Sequence, residues 1–406
     1  MKNKENLNTH QMSRRSFVKR ALTAAGWVAV SGGYVLRPDW AHAAGPIKFG
    51  IAAEITGAGS SFGNAIWQTA QLAVKQINDA GGILGRPVEL ILEDLSTEPA
   101  KGVIAARRII QKNVDVVLGA VGSNMRNAIK NPIVNRGKTL YFYPMLYEGQ
   151  ECTPHLFCTG LTPYQQCGEL IPYLIKQGNK RFALPGANYI WPQLLNKWVR
   201  RVIEENGGEV VLEEYFPTDQ VEYSATVGKI VNEKVDHVFL TIVPPGLTPF
   251  GKQLWDSGFQ KNGGTISCVY YNEEAVHFVE PYALEGTYSC LDYFLTVDDA
   301  FSKQLLADYN AMWPDTKYRF VGGVASGTYR GIKIYEQGVI ATNGDLAREA
   351  VSEAIDSVSV SQGPGGPFKV VPGTNHTAMN MYVAQNKGGV WDILKKSEMV
   401  PPNECG

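Results

Sequence analysis

Apolar and polar positions alternate along this chain in two periods that keep exchanging. Short, nearly continuous apolar runs at 47–55, 87–93, 114–120 and 139–143 are separated by segments whose apolar residues recur every three to four positions. The first kind of run predicts buried strands and the second predicts helices at 61–80, 99–112 and 123–135. In 61–80 the stripe is Ile66, Ala70, Ala73, Val74 and Ile77, and Gly81-Gly82 ends it. A second series follows the same rhythm. Helices are expected at 163–177, 192–206, 224–233 and 247–257, and strands at 181–184, 210–215, 237–242, 265–270 and 286–294. Helical patterns return at 298–312, 321–342 and 347–356, and three short antiparallel strands are expected at 366–371, 378–385 and 390–393.

Strands that alternate with helices imply mainly parallel sheets covered by helices on both faces. Two such series exceed what one hydrophobic core usually serves, so two lobes are expected. The helices that return after the second series require more than one crossing between lobes. Gly/Pro-rich stretches at 160–163 and 363–367 suit such crossings. The expected division is 44–161 with about 292–362 as the N-terminal lobe, 162–291 with about 363–397 as the C-terminal lobe, and a tail at 398–406.

The first 43 residues read as an export signal rather than as fold. Ser13-Arg14-Arg15-Ser16-Phe17-Val18-Lys19 is a twin-arginine run, an apolar small-residue stretch follows it, and Ala41-His42-Ala43 resembles a signal peptidase site. Export through the twin-arginine machinery to the periplasm is the expectation. The whole chain carries 38 basic and 39 acidic side chains. Residues 1–43 hold seven of the basic and two of the acidic ones, which leaves a net charge of −6 on the remainder. Such a surface offers no basic field to nucleic acid.

Strand ends are the informative places for chemistry, because ligands of open parallel sheets bind where strands lead into helices. After 114–120 comes Ser123, a helix N-cap type beside free backbone N–H groups that suit a carbonyl or carboxylate oxygen. After 139–143 come Met145 and Tyr147, with Tyr143 closing the strand. Tyr189 and Trp191 precede Pro192 and can offer aromatic faces to a small ligand. Tyr271, Glu273 and Glu274 follow 265–270; Glu274 is the acid able to receive an ammonium or amide N–H. Glu148 and Glu151 read as surface or hinge residues. Six cysteines allow 15 pairings, and Cys268 with Cys290 is the pair suggested by two strand-like runs of one region.

Enzyme signatures are missing: no Walker loop, G-x-S-x-G elbow, H-E-x-x-H or spaced Cys/His cluster occurs. Neither an enzymatic activity nor a cofactor is expected.

The runs Ile77-Asn78-Asp79-Ala80-Gly81-Gly82-Ile83-Leu84-Gly85-Arg86-Pro87-Val88 and Gly363-Pro364-Gly365-Gly366-Pro367-Phe368 resemble the branched-chain amino-acid class of periplasmic binding proteins that feed ABC importers. The resemblance implies a type I two-lobed α/β fold with a hinge, and a membrane permease as partner. The stretch from Tyr143 to Pro154 and Asn188-Tyr189-Ile190-Trp191-Pro192 look most like the urea and short-chain amide branch. By that likeness Ser123, Tyr143, Tyr189, Trp191 and Tyr271 stand at ligand positions. Val121, Met145 and Trp191 depart from the branch and imply a less polar wall. The expected ligand is therefore a small neutral amide-like compound. The alternative is an amino acid whose carboxylate meets Ser123 and whose ammonium meets Glu273 or Glu274.

Overall fold

A computed structural model describes residues 45–277 and 279–405, so the expected export signal lies outside the described residues. Fourteen strands form one hydrogen-bonded sheet whose two halves are each parallel. In the first half, β1 (Ile47–Ala53) lies between β2 (Val88–Asp94) and β3 (Val116–Gly119), with β4 (Leu140–Tyr143) and β5 (Leu156–Cys158) beyond. In the second half, β6 (Arg181–Ala187) lies between β7 (Glu209–Phe216) and β8 (His237–Phe239), with β9 (Thr265–Ser267) and β10 (Tyr288–Leu291) following. The central strands β3, β4, β5 and β8 are buried throughout. That is why they read as unbroken apolar runs rather than alternating ones.

The strand that links the halves runs antiparallel to β10 and parallel to β5. β13 (His376–Lys387) pairs with β10 and meets β5 through His376 and Cys158. β12 (Phe368–Val371) and β14 (Val390–Val400) flank β13, and the two-residue β11 (Ser359–Val360) pairs with β12. The strand expected at 390–393 thus runs to Val400, because β13 supplies a long partner for it.

Local chemistry sets the helix bounds. Ser60–Asp79 buries Ile66, Ala70, Ala73 and Ile77 and stops where Gly81 and Gly82 take positive φ, with the Gly82 N–H donating to the Ile77 carbonyl. Pro163–Lys176 starts at a capping box, Thr162 with Gln165, and has proline in its first turn. Gln165 and Gln166 then reach out of this turn to carbonyls of Thr377, Val400, Val269 and Cys290. One helix start therefore ties the second half to the linking strands. The helix expected at 321–342 is shorter, Ala325–Ala341, and packs on Ser60–Asp79 of the first half.

The cysteine expectation is corrected. Cys152 is bonded to Cys405, while Cys158, Cys167, Cys268 and Cys290 are buried thiols. The register Tyr288↔Ser267 sets Ser289 level with Cys268. Cys290, one residue on, therefore points to the opposite face of the sheet. Within the expected tail, Pro402 accepts from the Thr162 hydroxyl and Glu404 accepts from Gln150. The Cys152–Cys405 bridge spans 253 residues of sequence. Replacing both cysteines by serine is expected to lower the unfolding free energy by about 2–4 kcal/mol. A urea midpoint equal to that of the wild type would assign the anchoring of this segment to its hydrogen bonds alone.

Among the described residues no helix is long and apolar enough to cross a membrane.

Candidate functional site

Three loops at the C-terminal ends of first-half strands build one wall of a cavity of about 370 Å³. β1 delivers Glu54, β3 delivers Val121 to Met125, and β4 delivers Met145 and Leu146; Phe62 and Thr97 complete this side. The facing wall comes from the second half: Tyr189 and Trp191 after β6, Thr218 after β7, Val243 to Pro245 after β8, and Tyr270 after β9.

Close backbone approach makes the first wall. A Cβ at Gly63 would sit 2.0 Å from the Glu54 carbonyl oxygen, and one at Gly119, where φ is +138°, would sit 1.9 Å from that of Ala52. Only glycine lets the helix Ser60–Asp79 and the end of β3 come so near β1. The Ala120 N–H then donates to the Ala52 carbonyl, which sets the Val121–Gly122 turn over Glu54. Both Glu54 carboxylate oxygens accept from the Val121 N–H at 3.0 Å, and one also lies 3.4 Å from the Gly122 nitrogen. Burial pushes the Glu54 carboxyl up to about 7, against the pull of these two N–H groups, and the nearby Asp94 adds to the rise.

Behind this wall lies a buried charge cluster. Ser123 donates to Glu148, Arg126 pairs with Glu148 at 2.7 Å and with Glu151 at 3.0 Å, and Lys130 meets Glu151 at 3.0 Å. The Arg126 guanidinium stands 5.0 Å from the ring centroids of both Tyr143 and Tyr147. Glu148 and Glu151 are thus buried ion-pair partners, correcting their reading as surface or hinge residues, because Arg126 is itself buried and needs both. Tyr147 bonds His376 Nε2 at 2.5 Å while His376 Nδ1 faces the Thr374 carbonyl. The carbonyl must accept, so Nδ1 carries the proton and Tyr147 donates to Nε2. Burial holds this imidazole down to about 4, hence neutral.

Of the eight residues expected at the ligand, Ser123, Met145, Tyr189 and Trp191 stand in the cavity wall. Tyr143, Tyr147, Tyr271 and Glu274 do not. Tyr143 ends β4 with its hydroxyl donating to the Val121 carbonyl, one layer behind the cavity. Tyr147 lies deeper, against His376. Tyr270 takes the place expected for Tyr271: its ring packs 5.9 Å from Trp191, its hydroxyl donates to the Ile242 carbonyl, and Tyr271 packs behind it at 5.5 Å. β9 stops at Ser267, so the loop after it begins before Tyr270 rather than at Tyr271. Glu273 and Glu274 accept from the backbone N–H groups of Leu295 and Arg319, which pins loops rather than a ligand. Glu54 stands outside the expected set, although it follows β1 directly and so meets the same strand-end rule.

Trp191 is 4 % exposed, and among the described residues its indole N–H has no hydrogen-bond partner. Among the described residues the wall contains no lysine or arginine, and Glu54 is its one carboxylate. Among the described residues no group of three or more His, Cys, Asp or Glu could hold a metal ion.

Similarity to known proteins runs along nearly the whole described chain. The family model described as periplasmic binding protein matches residues 46–390. The Leu/Ile/Val-binding protein BraC3 of Rhizobium johnstonii is 29 % identical over 226 residues, 53 % of this chain and 59 % of that protein. The aligned stretch thus spans less than two thirds of that relative's length. Among solved structures, a solute binding protein of an ABC transporter from R. palustris in complex with 4-hydroxybenzoate superposes with a TM-score of 0.78 at 19 % identity, covering 88 % of this chain and 98 % of its own. The branched-chain amino acid transporter substrate binding protein LivJ of Streptococcus pneumoniae, in complex with isoleucine, gives 0.75 at 20 % identity, covering 88 % and 100 %. At these identities the superpositions show the α/β fold. With the family model covering most of its length, the chain belongs to the periplasmic binding protein family.

Proposed function

We propose that this protein is the extracytoplasmic solute-binding component of an ABC importer, and that it captures a small amino acid of the branched-chain or another apolar class. The observation that carries this reading is the cavity of about 370 Å³ whose walls come from opposite halves of the sheet. A ligand there touches both halves and favours their closure. In this reading the rigid bodies are 44–161 with about 292–362, and 162–291 with about 363–397. The protein is exported by the twin-arginine machinery, works in the periplasm and hands its ligand to a membrane permease.

The chemistry of the walls supports an amino acid. The helix Ser123–Lys130 turns its N-terminal N–H groups and positive dipole end toward the cavity, where a carboxylate is favoured. Phe62, Met145, Leu146 and Val243 offer apolar area to a side chain. The curated relatives named as Leu/Ile/Val-binding point to the same class. A second reading, a small neutral amide-like compound of the urea or short-chain amide type, is favoured by one observation: no lysine or arginine stands in the wall to neutralise a carboxylate.

Calorimetry and thermal shift with leucine, isoleucine, valine, urea, acetamide and 4-hydroxybenzoate separate these readings. An amino acid at a hundred times its Kd is expected to stabilise the protein by about 2.7 kcal/mol. Binding of urea or acetamide alone would replace the amino-acid reading with the amide one. Binding of the aromatic acid alone would remove both.

A further inference from the structure

We infer that Glu54 and the Trp191 indole N–H act as a polar pair across the cavity, selecting a ligand that carries an amino cation and an oxygen acceptor close together, as an amino acid does on its α-carbon. This rests on the amino-acid reading above and names the two groups that would read the ligand's polar atoms.

Glu54 supplies the acceptor. Its carboxylate is 2 % exposed and has two backbone N–H donors but no cationic partner in the wall. A buried carboxylate held only by neutral donors is poorly compensated, and an ammonium placed against it supplies the missing charge. A ligand bearing only a negative charge meets the opposite situation, a second anion with no cation beside it. The neighbouring rings of Tyr189, Trp191 and Tyr270 add faces that tolerate a cation.

Trp191 supplies the donor from the other half. Its ring is held between Tyr189 at 6.3 Å and Tyr270 at 5.9 Å, so the indole cannot easily turn its N–H elsewhere. A buried indole N–H without an acceptor is rare in a folded protein. An oxygen of the ligand completes it, and only a ligand spanning both walls satisfies both groups. That coupling makes closure of the halves part of recognition.

The pair predicts a pH dependence. The groups facing Glu54 are Asp94 of β2, the phenols of Tyr141 and Tyr143 on β4, and the backbone of Val121 and Gly122; on the helix Ser60–Asp79 the neighbour is Gly63. Burial works to raise Asp94, but bonds from Thr56, Ser96 and Ile55 outweigh it and hold it below its usual range, so it stays ionised near neutrality. Burial raises both phenols, which stay neutral. Glu54, at about 7, is the group that changes charge there. An amino acid keeps both its charges between pH 6 and 8. A cationic ligand end binds the ionised carboxylate, so affinity is highest above 7 and falls as the group protonates.

Isothermal calorimetry of L-leucine, 4-methylpentanoate and isopentylamine against wild type, Glu54→Gln and Trp191→Phe tests this. Wild-type affinity for leucine is expected to fall about tenfold from pH 8 to pH 6, following protonation of one group titrating near 7. Glu54→Gln is expected to lose about tenfold or more at pH 8 and to flatten the pH profile. Trp191→Phe is expected to lose about fivefold while keeping the slope, since it removes one donor and keeps an aromatic face. Both truncated ligands should bind more weakly than leucine. Leucine affinity in Glu54→Gln equal to that of the wild type, with the slope kept, would overturn the role of Glu54 and leave the amino-acid reading standing. If that variant does not fold, a flat wild-type profile between pH 6 and 8 overturns it instead. A wild type that binds no amino acid removes the amino-acid reading, and the pair with it.

Discussion

Replacing Arg330 by methionine is expected to cost about 3–5 kcal/mol of stability, the range for stripping one partner from a buried ion pair. Arg330 and Asp292 are each 1 % exposed and lie 2.6 Å apart. The arginine also donates to the Thr159 carbonyl, and its guanidinium lies 5.7 Å over the Phe368 ring. Thr159 follows β5, Asp292 follows β10 and Phe368 opens β12. One guanidinium therefore fastens three segments that lie far apart in the chain. Methionine keeps much of the volume but leaves the Asp292 carboxylate buried with the Gly323 N–H as its remaining donor. A urea midpoint well below that of the wild type is the expected readout. The double variant Arg330→Met with Asp292→Leu should recover part of the loss, because it buries no lone charge. A single variant as stable as wild type would show that Asp292 finds other compensation.

Replacing Arg126 by leucine is the second large effect, again about 3–5 kcal/mol, and it should reach the ligand as well. Without the guanidinium, Glu148 and Glu151 remain buried side by side; Glu148 keeps the Ser123 hydroxyl, Glu151 keeps Thr153 and Lys130, and among the described residues Lys130 is the one cation left to the pair. Ser123 and the Val121–Gly122 turn rest on this cluster through Glu148 and Tyr143, so ligand affinity should drop with stability. The acid side offers a check with a fixed sign. Burial works to raise the Glu151 carboxyl, but Thr153, Lys130 and Arg126 outweigh it and hold it below its usual range. A lowered carboxyl contributes stability that is present above its unfolded value of 4.5 and lost as pH falls through the folded one. The stability gap between wild type and Arg126→Leu should therefore narrow on acidification below that value. A gap that widens there would place the effect elsewhere.

The cavity wall shows how far residue patterns reach. Ser123, Met145, Tyr189 and Trp191 line the cavity and are legible from their places just past strand ends, which needs only the end of each apolar run. Glu54 and the Val243-Pro244-Pro245 turn obey the same rule and were within reach of it. Tyr270 against Tyr271 is not, since β9 stops at Ser267, three residues short of the expected end, and the loop that lines the cavity therefore begins earlier. Likewise nothing in the local pattern marks Glu148 as buried, because its burial depends on Arg126, 22 residues away in sequence.

The sequence by itself determined that strands and helices alternate, that the central strands are buried, and that residues just past strand ends line the cavity. These follow from periodicity and from capping and glycine chemistry, which act over a few residues. Only the tertiary structure decided that Cys152 meets Cys405, that Arg330 joins Thr159 to Asp292, and that Glu54 and Trp191 line one cavity. Each of these depends on strand register and on which segments far apart in the chain come together. Those are set by the packing of the whole sheet, and no short-range pattern encodes them.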